Sequence, residues 1–171
     1  MTSWIPLLLL ETITFILGHF LLNGIRWQFM QRLVLTGFWL YLMVLFFLCF
    51  RPSFGDPFLI FRSFHNVPVN IRPTLNFRID TLENIMLTIP AGAFFALILQ
   101  RLNLVEAGLL SMIPGILIES GQFMADYFFQ IERIVDINDI LTNWLGCMIG
   151  FFIVSSIIWM NPKPWQRLAI N

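Results

Sequence analysis

Across residues 140–160 the chain carries no charged side chain, a run as long as the ~20 apolar residues a helix needs to cross a bilayer's hydrocarbon core. In lipid every backbone N–H and C=O must find its partner inside the protein, so such a run is held to helix. The same restriction recurs along the chain. Residues 33–50 are equally free of charge, and residues 4–22, 82–99 and 107–125 are apolar apart from isolated polar positions. Hydrophobic residues make up 58% of the chain and charged residues only 12%, a balance foreign to soluble domains. The 171 residues therefore predict one all-α domain spanning 1–171, a polytopic transmembrane helical bundle of about five spans with no room for a separate soluble unit.

Formal net charge is zero and no basic patch stands out along the sequence. Nucleic acid is thus not an expected partner, which leaves the lipid bilayer. Cys49 and Cys147 fall in apolar surroundings in different spans and read as small buried hydrophobes rather than a disulfide or metal pair. The first residues lack positive charge, Glu11 interrupts the apolar run and no small-residue cleavage site follows. Residues 4–22 accordingly read as a span and not as a cleaved signal.

Polar residues inside such spans are costly, so each carries information. Glu11 lies about seven residues into the first span, ~10 Å deep, where it serves either a functional cavity or a protonated packing contact. In the third span, entered through Asp80 and Glu83, Asn84, Thr88 and Ala91 share a face and Pro90 frees a backbone carbonyl. In the fourth, Gly108, Ser111, Gly115, Glu119, Gln122 and Asp126 share a stripe about 80° wide. Small residues give way to polar ones along it, which suits close helix approach followed by hydrogen bonding. The last span follows Arg133 and carries Asp136, Asp139, Asn143, Gly146 and Gly150, spaced 3, 4, 3 and 4 and therefore on one face. Residues 51–81 form the only long connection. Pro52, Pro57, Pro68 and Pro73 break helix there, and Phe54, Phe58, Phe61, Phe64 and Phe77 are interleaved with Arg51, Arg62, Arg72 and Arg78. That is the composition of an irregular segment among lipid headgroups.

Because consecutive spans alternate in direction, the starts of spans one, three and five and the ends of spans two and four meet at one membrane face. That face collects Glu11, Arg51, Asp80, Glu83, Asn84, Glu119, Gln122, Asp126, Arg133, Asp136, Asp139 and Asn143. Helix capping accounts for Asp80 and Glu83, since acids complement a helix N-terminus. It does not account for Asn143, which lies too deep, or for Glu119, which is both deep and near a helix C-terminus, where the dipole disfavours an anion.

Three of these stretches, NIMLTIPAG at 84–92, GILIESGQ at 115–122 and RIVDINDILTNWLGCMIG at 133–150, resemble in order and spacing the signature blocks of the VanZ-like membrane-protein family. Carried over by position, the pattern is Asn84, Pro90 and Gly92, then Glu119 and Gln122, then Arg133, Asp136, Asp139, Asn143, Gly146 and Gly150. Thr88 stands where the family usually has an aromatic, Trp144 and Cys147 replace smaller residues, and an asparagine-proline-phenylalanine run before the third span is missing. The family is named for a protein associated with bacterial resistance to the glycopeptide teicoplanin. The resemblance thus implies a bacterial cell-envelope setting and a link to antibiotic resistance, but no reaction.

The residues themselves leave several functions open. Glu11, Asn84, Glu119, Gln122, Arg133, Asp136, Asp139 and Asn143 form a candidate polar pocket, with Pro90, Gly92, Gly115, Gly146 and Gly150 as helix-packing positions. Arg133, with Arg51 or Arg78, would hold the anionic headgroup of an envelope amphiphile. Glu119, Asp136 and Asp139 would exchange protons or coordinate a divalent cation. A metal-assisted lipid-modifying enzyme is an alternative, although no serine or cysteine nucleophile has a paired histidine. A packing or partner-binding protein without catalysis is another; transport is less supported, because no inverted repeat is visible. For orientation, no cation precedes the first span while the first connection and the tail have two each, which favours an external N-terminus; the four arginines of residues 51–81 oppose it.

Overall fold

Local signals fix where each helix of the computed structural model begins and ends. The structure describes residues 2–52, 62–64, 67–73, 79–165 and 167–168. After a single turn at Thr2–Trp4, α1 (Ile5–Gly24) starts with a proline in its first turn, where the missing N–H is no loss. α2 (Phe29–Phe50) opens on a capping box in which Gln31 accepts the Gln28 backbone N–H at 3.2 Å. α3 (Ile79–Ile98) contains Pro90. α4 (Leu104–Phe129) opens on a second box: Asn103 accepts the N–H groups of Val105 and Glu106, and Glu106 accepts that of Asn103. α5 (Ile137–Met160) is followed by one turn, α6 (Pro162–Trp165). The capping boxes draw α2 and α4 several residues upstream of their apolar runs.

All five long helices have the length and hydropathy to cross a membrane, as the sequence predicts. The long connection departs from expectation. Instead of an irregular segment throughout, it contributes β1 (Arg62–Phe64) and β2 (Val67–Asn70), an antiparallel pair, and β2 also runs parallel to β3 (Val135–Asp136). Pro68 is tolerated in the middle strand because β3 pairs only with Val69 and Asn70, so no ladder bond to β3 is asked of the proline nitrogen. Phe54, Phe58, Phe61 and Phe77, with Pro57 and Arg78, lie outside the described residues.

α3 and α5 form the axis of the bundle. At Gly146 and Gly150 a Cβ would collide with the carbonyls of Ile85 and Ile89 on α3, and at Gly92 one would collide with the Cys147 carbonyl on α5. Three glycines thus let the two backbones touch, the close approach that small residues permit between membrane helices. On the α4 side a Cβ at Gly115 would lie 2.8 Å from the Ile140 carbonyl oxygen. At the proline of α3, the Tyr41 hydroxyl donates to the Leu87 carbonyl at 2.8 Å. A side chain from α2 thereby bridges the helical pair beside the residue that cannot donate. Trp39 on α2 reaches the Thr14 carbonyl of α1, and Trp144 on α5 reaches the Gly108 carbonyl of α4, each at 3.0 Å.

Buried side chains collect in two clusters. Leu7, Leu45, Cys49, Phe50, Ile118, Ala125 and Ile131 pack where α1 begins and α2 and α4 end. Ala96, Ala107 and Phe151 pack toward the opposite face.

Candidate functional site

The α4–α5 connection is built around Asp126. Gln130 and Glu132 adopt left-handed conformations (φ 53° and 58°), which ordinary side chains resist, and the Asp126 carboxylate accepts the Glu132 N–H at 2.7 Å. That tight turn carries Ile131 into the core and aims Arg133 across the end of α2. The Arg133 Nη2 donates to the carbonyls of Leu48 at 3.0 Å and Arg51 at 3.4 Å, while its Nε is buried without a partner among the described residues. A cation at orphaned C-terminal carbonyls also meets the negative end of the helix dipole. Burial pulls the guanidinium pKa below its ordinary value, and neighbouring Arg51 adds to this, while Glu119 and Glu83 oppose it. Arginine nonetheless stays protonated.

Three residues further on, Asp136 caps α5. Its Oδ1 accepts the Asn138 backbone N–H at 2.8 Å and the Asn138 amide at 2.6 Å, and its Oδ2 accepts the Asn70 amide at 2.8 Å. Its own N–H donates to Glu119 Oε2 at 3.0 Å. The carboxylate of Glu119, only 3% exposed within α4, therefore receives a backbone donor from the first residue before α5. The Asn84 side chain of α3 lies beside Asp139, and Glu119, Asp136 and Asp139 lie close enough to feel one another's charge. One turn deeper, Asn143 is 2% exposed, its Cβ facing Gly115.

The fold thus joins Asn84, Glu119, Arg133, Asp136 and Asp139, with Asn143 beneath them. Gln122 is turned to a different task, donating to the Cys49 carbonyl at 2.9 Å and tying α4 to α2. Glu11 stands apart on α1, its Oε2 buried with no partner among the described residues. The side chains of Arg51, Arg72, Asp80 and Glu83 are exposed around this face. Asp136 spends both oxygens on N–H donors, and no group of three His, Cys, Asp or Glu side chains among the described residues could hold a metal ion. Asn70, Asn138 and Tyr41 were not singled out by the sequence. The Asp136-x-Asn138 spacing at a helix start is the signal of a side chain answering the backbone two residues on; Asn70 had no local signal, because it acts across a chain separation of 66 residues.

A family model described as VanZ/LLP1 matches residues 38–159. No curated protein and no solved structure matches the chain.

Proposed function

The chain belongs to the VanZ/LLP1 family of multi-pass membrane proteins, and we propose that it binds the anionic, phosphate-bearing headgroup of an envelope amphiphile at the face where Arg133, Glu119 and Asp139 meet. One observation carries this reading: a half-buried guanidinium is held by two backbone carbonyls, and its Nε has no partner among the described residues. A buried donor without a partner costs about 1–3 kcal/mol, which a phosphate oxygen would recover. Glu119 and Asp139 give the site an acid pair for exchanging protons with a headgroup hydroxyl. A divalent cation would need the ligand's own phosphate oxygens to complete its shell, a common arrangement for Mg²⁺. The chain's apolar helix surfaces suit the acyl portion, and an external position for this face, with the N-terminus outside, would present it to envelope precursors and externally acting antibiotics.

The test is binding of labelled polyprenyl phosphate to the purified protein in detergent, with and without Mg²⁺. Saturable binding is expected, weakened at least about tenfold by Arg133→Gln, which removes the charge. A monodisperse Arg133→Gln protein that binds as well as the parent would overturn the proposal. Conversion of the lipid, lost in Glu119→Gln, would make the site that of a lipid-modifying enzyme.

A further inference from the structure

The opposite face of the bundle is basic, a property hidden along the chain because its cations come from three distant segments. Arg26 precedes α2 and Arg32 lies in its first turn, Arg101 lies between α3 and α4, and Lys163 and Arg167 follow α5; Glu106, in the first turn of α4, is the one acid near these cations in the sequence. All five cations are exposed. Glu106 is engaged in the α4 capping box and does not answer them. The chain after α5 is tied down at Trp165: the Gln100 amide donates to the Trp165 carbonyl at 2.7 Å and to the Leu97 carbonyl at 3.2 Å. This bond ties Trp165, between Lys163 and Arg167 in the chain, to the turn that carries Arg101. Trp27 and Trp165 belong to the same segments, and Trp159, in the last turn of α5, is 84% exposed. Tryptophans and cations at one level are the equipment of a membrane interface.

We propose that this face is a docking surface for anionic phospholipid headgroups, with Arg101, Lys163 and Arg167 as its centre and Gln100 as the residue that assembles it. Headgroup phosphates supply the missing counter-charge, and the leaflet richer in anionic lipid becomes the preferred neighbour of this face. The surface is separate from the Arg133 site and stands if that reading fails.

Native mass spectrometry of the full chain, offered equal phosphatidylglycerol and phosphatidylcholine, tests it. The parent should retain phosphatidylglycerol preferentially, and the preference should fall with salt. Arg101→Gln combined with Lys163→Gln and Arg167→Gln should reduce it roughly tenfold or more. Gln100→Ala, which leaves every charge in place but frees the tail, should reduce it by less. Arg72→Gln, at an exposed cation on the other face, should leave it unchanged. Equal retention of both lipids by the parent, or a preference that survives the triple substitution, would overturn the proposal. So would tighter binding of a poly-glutamate peptide than of phosphatidylglycerol, which would assign the face to an acidic protein.

Discussion

Glu119 and Arg101 both sit near a membrane face, yet the protein treats them in opposite ways. Glu119 is buried and answered by a backbone N–H from a different element, so its position is specified by hydrogen-bond geometry. Arg101 is exposed and acts with other cations through summed charge. The face around Glu119 is therefore sensitive to single atoms, and the basic face to totals. A net charge of zero conceals this division, because it adds the two faces together.

The comparison predicts graded effects of substitution. The largest should come from the axis that holds the buried face in register: Gly150→Leu drives a side chain into the Ile89 backbone and should cost about 3 kcal/mol or more, read as loss of monodisperse protein. Gly108→Ala, at a glycine with open space, should be neutral or slightly stabilising in the same assay. Next, Glu119→Ala strands the Asp136 N–H and should destabilise by about 1–3 kcal/mol, whereas Glu119→Gln keeps an acceptor and should cost less. Thermal unfolding in detergent separates them; equal losses would mean that the carboxylate's charge, and not its geometry, matters at this face. Tyr41→Phe removes the hydroxyl that donates to the Leu87 carbonyl and should cost about 1 kcal/mol. Arg101→Gln alone should leave stability unchanged within about 0.5 kcal/mol, as befits an exposed charge.

Much of this division is legible in the sequence, for physical reasons that differ between residues. The five spans follow from charge-free length, and a close-packing face on the last span from glycines four apart, because both depend on local spacing; that α3 is the partner does not. Asn84, Glu119, Arg133, Asp136 and Asp139 could be gathered on paper since alternating spans force them to one side. Their individual tasks could not. That Gln122 ties α4 to α2 and that Glu11 stays apart depend on helix rotation, which span counting does not provide. The small sheet was missed because prolines among residues 51–81 mark only where helix stops, and Val69 finds its partner, Val135, 66 residues downstream. The basic face was missed because it is assembled from segments that no sequence window contains together.

The account depends most on Arg72 and Arg101 lying on opposite sides of the membrane, with Arg72 outside. Arg72→Cys and Arg101→Cys, each probed with a membrane-impermeant maleimide in intact cells, test this directly, since Cys49 and Cys147 are buried. Arg72→Cys should label at once and Arg101→Cys only after permeabilisation. Labelling of both from the same side would contradict the two-faced bundle, and the reverse pattern would contradict its orientation.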